Sequence, residues 1–226
     1  MKNNKNKKKL DILFEDKNII VINKKGGLPT IKSDNYKDNL YSQVFDYLHK
    51  KNQRVFVIHR LDRDTSGIVV FAKSEKVKNI LQNNWDNVTR NYIAIVHGQT
   101  KEKDTITSYI KETKTLLSYS SKDKTGKFAK TSYERIMNNN QYTLLKINIQ
   151  TGRKNQIRLH MKENNTPILG DRKYGKKDGY RNMLLHANEI ILNHPIMKEV
   201  IHIDLGIPAN YKKIFEGENN DKKERL

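Results

Sequence analysis

The alternation of apolar and polar positions predicts short strands interrupted by a few helices. Apolar residues at helical spacing predict helices over Asn39–His49 and Asn155–Lys162, with a third short helix around residues 77–81. Runs rich in β-branched and aromatic residues predict the strands: 19–22, 55–58, 68–72, 92–96, 105–110, 130–136, 142–149, 184–192 and 200–205. Because several strands follow one another without a helix between them, we expect an α+β fold with a mixed, largely antiparallel sheet flanked by helices.

The domain organisation predicted from the 226 residues is simple. Residues 1–9 and 217–226 are polar and highly charged, so we expect a basic disordered tail at the N-terminus and a polar tail at the C-terminus. Residues 10–216 contain no long Gly-, Ser- or Pro-rich linker and no internal repeat. We therefore expect one continuous domain over residues 10–216.

The composition of the chain limits the kinds of partner and of functional site that the sequence is compatible with. A formal net charge of +19 favours a polyanionic partner such as nucleic acid, although a general bias toward Lys and Asn accounts for part of the excess. The absence of Cys excludes disulfides, Cys-based zinc sites and thiol catalysis. No apolar run has the length of a signal sequence or a membrane span, and no His spacing is typical of a metal site. We expect a soluble, cytoplasmic protein that does not bind membranes and holds no metal.

One segment concentrates the reactive side chains. The nine residues from His59 to Gly67 lie between two predicted buried strands and contain a His, two Arg, two Asp and two hydroxyl groups. Loops held between strands often carry catalytic groups. A carboxylate in this loop, Asp62 or Asp64, suits chemistry at a sugar C1′, which it can attack or where it can stabilise positive charge. The structural alternative is a turn in which an Asp caps the next segment and Arg60 lies on the surface.

Two further segments place polar residues at predicted strand and helix positions. Residues 89–98 form a predicted strand that contains Tyr92 and ends in Gly. A phenol there can stack on a base and exchange a proton, whereas most Tyr side chains in apolar strands belong to the core. Residues 151–160 place Arg153 just before a predicted helix and Arg158 within it, and the alternative is an amphipathic helix with its cations in solvent. Neither segment identifies a function by itself.

Taken in order, these segments resemble the motifs of the RluA-type RNA pseudouridine synthases, enzymes that isomerise uridine within RNA. The matching residues are His-Arg-Leu-Asp-Arg-Asp-Thr-Ser-Gly at 59–67, the strand at 89–98, and Thr-Gly-Arg at 151–153 with the helix that follows. Pro-Ile-Leu-Gly-Asp at 167–171 and Leu-Leu-His-Ala at 184–187 complete the resemblance, which extends from about Leu13 to Phe215. The chain departs from many relatives at Lys154-Asn155, where they have Thr-His.

The resemblance implies the pseudouridine synthase fold with a central RNA-binding cleft and no separate N-terminal RNA-binding domain. Asp62 is the implied catalytic aspartate, Tyr92 lies against the target base, and Arg158 pairs with Asp62. A cation that close favours the ionised carboxylate. Substrate or RNA binding is implied for four further residues: Arg60, His59, Arg153 and Leu185.

The implied activity is that of an isomerase. We expect it to convert specific uridines of large-subunit rRNA or tRNA to pseudouridine by base flipping and without a cofactor. A monomer is the default expectation, because the sequence leaves the oligomeric state open. The route at Asp62, nucleophilic attack or elimination, stays open. Two other classes also stay open from the residues alone. One is a hydrolase that uses the same carboxylate to excise a base, and the other is a non-catalytic RNA binder.

Overall fold

The computed structural model describes residues 10–32, 36, 38–113, 117–121 and 123–216. These residues form two compact units, the first from residues 10–85 and 194–198 and the second from residues 86–193 and 199–216. A short 3₁₀ turn, Trp85–Asn87, joins the units along the chain. The predicted tails, 1–9 and 217–226, lie outside the described residues, and the single domain predicted for residues 10–216 stays a prediction.

The first unit combines a small sheet with two helices. Its strands are β1 (Ile12–Glu15), β2 (Ile19–Lys24), β3 (Phe56–Val57) and β4 (Ser66–Ala72), and its helices are α1 (Leu40–His49) and α2 (Glu75–Asn83). β4 pairs with β2 along its length and with β3 at one end, and β1 pairs with β2. Asn39 and Ser74 cap α1 and α2 by accepting backbone N–H groups at 2.9 and 3.3 Å.

The second unit contains seven strands and two helices among the described residues. The strands are β5 (Thr89–His97), β6 (Lys103–Glu112), β7 (Ser118–Ser121), β8 (Lys127–Asn138), β9 (Tyr142–Ile149), β10 (Leu185–Asn193) and β11 (Val200–Asp204). Their spatial order is β11-β10-β5-β9-β8-β6-β7. The helices are α3 (Gln156–Glu163) and α4 (Ala209–Glu216). Within each unit, every described strand pairing is antiparallel, which confirms the predicted α+β fold with a largely antiparallel sheet.

Most predicted elements are confirmed, with differences at four places. The prediction missed β1 and β7, which are four residues long, and α4, which has eight residues. The buried strand predicted at residues 55–58 is wrong in extent, because only Phe56–Val57 pair with β4. Beyond Val57, the ring nitrogen of His59 accepts the N–H of Val70 at 3.0 Å. A side chain, rather than the backbone of a longer β3, therefore contacts β4 at this point. No helix among the described residues is long and apolar enough to cross a membrane.

Strand register in the second unit determines which side chains share a face. Tyr92 lies opposite Ile147, and Ile147 lies opposite Tyr133, so these three side chains share one face of β5, β9 and β8. Thr131, two residues before Tyr133, shares this face and contacts His160 of α3 at 2.9 Å. Helix α3 therefore packs on the same face of the sheet as Tyr92.

Two buried histidines predict how the stability of the fold changes with pH. His160 is fully buried between the hydroxyl groups of Ser108 and Thr131, each at 2.9 Å. Burial lowers the pKa of His160 from 6.5 to about 4, and it lowers the pKa of His186 equally. The unfolded chain therefore binds protons that the folded chain excludes between these values.

We expect the free energy of unfolding to fall as the pH decreases from about 6.5 to 4, because protonation of His160 and His186 favours the unfolded state. Urea titrations at several pH values measure this change. His160→Gln should reduce the dependence on pH between 6.5 and 5, where few carboxylates titrate. An unfolding free energy that increases on acidification over this interval contradicts the prediction.

Candidate active site

The loop between β3 and β4 holds the predicted catalytic carboxylate. Asp62 is half-buried and its backbone carbonyl accepts the N–H of Thr65 at 3.2 Å, which closes a tight turn around the carboxylate. Arg60, two residues earlier, is exposed. The sequence therefore places one carboxylate and one exposed planar cation two residues apart in a single short loop.

Thr30 fixes the residue that precedes Asp62. The Thr30 side chain is 3% exposed, and its hydroxyl donates to the carbonyl of Leu61 at 2.8 Å and accepts the N–H of Leu61 at 3.1 Å. Leu61 is itself buried in the core. Both backbone polar groups of Leu61 are therefore satisfied by one side chain from another segment, and Asp62 begins from a fixed backbone position.

Lys24 fixes the residue that follows Asp62. Its side chain at the end of β2 is 1% exposed, and its ammonium donates to the carbonyls of Lys25 (3.1 Å), Leu28 (2.8 Å) and Arg63 (2.9 Å). Burial lowers the pKa of Lys24 to about 8, although attraction by the carboxylates of Asp62 and Asp64 acts in the opposite direction. The buried cation thus joins the β2–α1 turn to the loop that carries Asp62.

The turn after β2 also packs directly against this loop. A Cβ atom added at Gly26 would lie 3.2 Å from the carbonyl oxygen of Asp64, so a larger residue there would push the two segments apart. Asp64 itself forms a surface ion pair with Arg63 at 2.8 Å. The carboxylate two positions after Asp62 is therefore engaged by its neighbour in the chain.

His59 has a structural contact in the first unit. Besides accepting the N–H of Val70, its ring stacks on Trp85 with 4.5 Å between ring centroids. These contacts orient the start of the loop. The contact of His59 with RNA stays a prediction.

In the second unit, Tyr92 and Leu185 lie on neighbouring strands and on the same face. Tyr92 is opposite Ala187, and Leu185 is opposite Ala94, so the four side chains form one patch on β5 and β10. Tyr92 is 8% exposed, Leu185 3% and Ala187 6%. The patch combines an apolar wall with one phenol, and the contact of Tyr92 and Leu185 with uracil stays a prediction.

Arg158 is buried in α3 and held by an acidic partner that the sequence did not reveal. Its Nε and Nη2 donate to the two carboxylate oxygens of Asp171 at 2.7 and 2.8 Å, and its Nη1 donates to Asn155 at 2.9 Å. The guanidinium also lies 5.1 Å from the ring centre of Tyr174. Such a two-point pair fixes both the position and the plane of the guanidinium. The pairing of Arg158 with Asp62 stays a prediction.

Asp171 is satisfied from several sides. It is 1% exposed and accepts the backbone N–H groups of Lys173 and Tyr174 at 2.9 and 3.0 Å in addition to Arg158. Burial raises the pKa of Asp171, but the Arg158 ion pair and the N–H groups outweigh this and lower it below the ordinary value. Gly170 allows the turn, because its φ is +74° and a Cβ there would overlap the carbonyl of Asn182. Removing one partner of such a buried pair costs roughly 3–5 kcal/mol.

The departure from the family pattern at Lys154-Asn155 has a local explanation. Asn155 caps α3 with a left-handed φ of 55°, a conformation that Asn tolerates better than most residues. Its side chain accepts from Arg158 and donates to the Ser118 hydroxyl at 3.3 Å. Lys154 forms an ion pair with Glu112 at 2.7 Å. In this chain Asn155 therefore helps to orient the arginine.

Arg153 and Arg90 differ in exposure. Arg153 is exposed and donates from Nε to the carbonyl of Phe128 at 2.9 Å, which leaves its position suitable for contact with RNA. Arg90 is 7% exposed and donates to the carbonyls of Val88 and Gln150, both at 3.3 Å. Burial lowers the pKa of Arg90.

Among the described residues there is no cluster of three or more side chains suited to hold a metal ion.

Comparisons with known proteins identify the family to which the chain is similar. A sequence model of the family described as RNA pseudouridylate synthase matches residues 18–163. The chain is 31% identical over 232 residues to tRNA pseudouridine synthase C of Haemophilus influenzae, covering 91% of this chain and 96% of that protein. It is also 31% identical over 231 residues to ribosomal large subunit pseudouridine synthase D of Buchnera aphidicola, covering 91% and 72%. The solved structure of Human RNA Pseudouridylate Synthase Domain Containing 4 has a TM-score of 0.74 and 24% identity, with 91% of both chains covered.

We expect Lys24→Met to lower the free energy of unfolding by about 2–4 kcal/mol, because three backbone carbonyls lose a charged donor. Lys25→Met is the matched control, since Lys25 is the next residue and is exposed, and it should change stability by less than about 0.5 kcal/mol. Urea denaturation of both variants measures the difference. A Lys24→Met protein as stable as the wild type would show that the cation does not hold the loop.

Proposed function

Because this chain belongs to the RNA pseudouridylate synthase family, whose members are isomerases that act on RNA, we propose that Asp62 is the carboxylate with which it converts uridine to pseudouridine. The observation that supports this role is the anchoring of the loop on both sides of Asp62. Thr30 holds Leu61 and Lys24 holds Arg63, so the carboxylate between them is positioned before any RNA binds.

The reaction conserves every atom of the nucleoside. The bond between N1 and C1′ breaks, the uracil stays bound and turns, and a bond forms between C5 and C1′. The C5 proton is then lost and N1 gains one. Asp62 acts at the ribose, where a carboxylate either forms a bond to C1′, stabilises positive charge there or assists elimination. No electron acceptor or donor is required, so we propose catalysis without a cofactor or a metal.

The target uridine must leave its stack before Asp62 can reach it. We assign Arg60 to the space that the nucleotide vacates, because it is exposed beside Asp62 and its planar cation can stack on or pair with bases. Tyr92 and Leu185 line the uracil pocket with the phenol and the apolar wall of their shared patch. We propose that Arg158 forms an ion pair with the carboxylate of Asp62.

The substrate proposed is tRNA or large-subunit rRNA, as in the names of the two curated relatives. His59 and Arg153 contribute further RNA contacts, and Arg153 is the better placed of the two because its side chain is exposed. We propose a cytoplasmic enzyme that acts as a monomer. Such enzymes read the shape and unpaired loops of RNA more than its sequence, so the choice of uridine depends on the substrate as much as on this chain.

We expect Asp62→Asn to lower the rate of pseudouridine formation by roughly a thousandfold or more, because the amide can neither attack C1′ nor balance positive charge. Asp64→Asn is the matched control, since its carboxylate lies two positions on and already pairs with Arg63, and it should retain the rate within about tenfold. The substrate is total RNA from a strain that lacks the gene. Pseudouridine mapping and mass spectrometry of the treated RNA provide the measurement.

The same experiment separates the rival functions. Isomerisation leaves the mass of the RNA unchanged, whereas hydrolytic base excision releases uracil and leaves a hydroxyl group from water on C1′, which lowers the mass of the RNA by the mass of uracil minus that of water. A protein that binds RNA but leaves every uridine unchanged would be a non-catalytic binder. Either result, or full activity of Asp62→Asn, would disprove the proposed function.

A further inference from the structure

The second unit carries a group of exposed aromatic rings that the proposed reaction does not use. Phe128 is 43% exposed and Tyr119 is 42% exposed. The ring of Tyr109 lies 5.7 Å from that of Phe128, at 64° between their planes. Contiguous exposed apolar surface on a protein marks an interaction site more often than single exposed residues do.

Strand register places these rings and two lysines together. Tyr109 lies opposite Phe128 on β8, and Lys111 lies opposite Tyr119 on β7. Lys130, two residues after Phe128, points to the same side. We call these five residues, Tyr109, Lys111, Tyr119, Phe128 and Lys130, the aromatic sheet face.

The aromatic sheet face lies on the side of the sheet opposite to Tyr92. Ile110 and Ala129, which alternate with residues of the face along β6 and β8, are buried in a cluster with Leu159 of α3. Since α3 packs on the same side as Tyr92, the side chains of the aromatic sheet face project from the opposite side of the sheet. It is therefore separate from the patch assigned to the uracil.

The local charge of the face is positive. Lys111 pairs with Asp123 at 3.0 Å, and an exposed pair of this kind is weak enough to exchange for a phosphate. Lys130 has no acidic partner in the part of the chain that the structure describes. Arg153 adds a third cation, because its guanidinium is bonded to the backbone of Phe128.

Other described parts of the same side of the sheet do not have this excess of positive charge. Lys103 pairs with Glu134 at 2.9 Å and Lys146 pairs with Glu189 at 3.1 Å, so positive and negative charges alternate there. Further along, α4 covers the sheet, and Tyr211 packs against Ile93, Ile95 and Leu144. The combination of exposed rings with an excess of cations is thus confined to β6, β7 and β8 among the described strands.

We propose that the aromatic sheet face binds an unpaired stretch of the RNA substrate, with bases stacked on Tyr109, Tyr119 and Phe128 and phosphates beside Lys111 and Lys130. The proposal rests on the proposed function, which supplies the RNA. Aromatic rings interleaved with cations are the two components of single-strand binding surfaces, and sheet faces present them in other RNA-binding domains. A protein partner would favour a surface depleted of lysine at its centre, which this face is not.

Phe128→Ala tests the face in the full chain. The probe is a short fluorescein-labelled oligouridylate, and binding is followed by fluorescence anisotropy. We expect the dissociation constant to rise about fivefold to a hundredfold, the range found when a stacking ring is removed. Phe45→Ala is the matched control, because Phe45 is also 43% exposed but lies on α1 of the first unit, and it should change binding less than about twofold.

Conservative variants separate stacking from packing. Phe128→Tyr should keep wild-type affinity because it keeps a ring, whereas Phe128→Leu should bind as weakly as Phe128→Ala although it fills similar apolar space. Lys130→Ala should reduce the slope of log affinity against log salt by about 0.7. Melting temperatures of all variants show whether the fold is intact.

The outcomes distinguish this proposal from the proposed function. If both hold, Phe128→Ala raises KM for RNA with kcat unchanged, while Asp62→Asn loses kcat and keeps oligouridylate affinity. Wild-type affinity in folded Phe128→Ala and Tyr119→Ala proteins overturns the aromatic sheet face, whatever the activity. An equal loss of affinity for blunt duplex RNA also overturns it, because stacking requires unpaired bases.

Discussion

The ammonium group of Lys24 is the interaction on which the arrangement of the candidate site depends. Burying a cation is costly unless its donors are satisfied, and this one donates to three backbone carbonyls. Two of them belong to the turn after β2 and the third to Arg63, so folding of the first unit places the loop that carries Asp62. Thr30 fixes the preceding residue. A carboxylate positioned by the core needs little reorganisation when a nucleotide arrives.

The second unit also contains a buried cation that is held by several acceptors. Arg158 is buried, and Asp171, Asn155 and the ring of Tyr174 determine its plane. Asp171 is supported in turn by backbone N–H groups of the tight turn that Gly170 permits. In both units, therefore, a buried cation is held by several acceptors, and a glycine lies in a closely packed turn nearby, Gly26 in the first unit and Gly170 in the second.

Whether a feature of the fold or the candidate site could be predicted from the sequence depended on how far apart along the chain the interacting residues lie. Apolar periodicity is local, so it predicted β2, β4, β9 and α3 well, and the resemblance to a family identified the loop of Asp62. The role of Lys24 was missed because its partner Arg63 lies 39 positions away, and a Lys at a strand end normally indicates a surface. Asp171 was part of a recognised segment, but only the fold shows that it holds Arg158. Strand β7 was missed because Ser-Tyr-Ser-Ser has no apolar alternation.

The central claim is that Asp62 is the group presented to the ribose of an extruded uridine. A crystal structure of the chain bound to a stem-loop RNA with a non-reacting uridine analogue at the mapped position tests this most directly. We expect the uracil to leave its stack and a carboxylate oxygen of Asp62 to lie within about 4 Å of C1′, a near-attack distance. A target base that stays stacked, or a ribose that contacts another carboxylate such as Asp64 in place of Asp62, would contradict it.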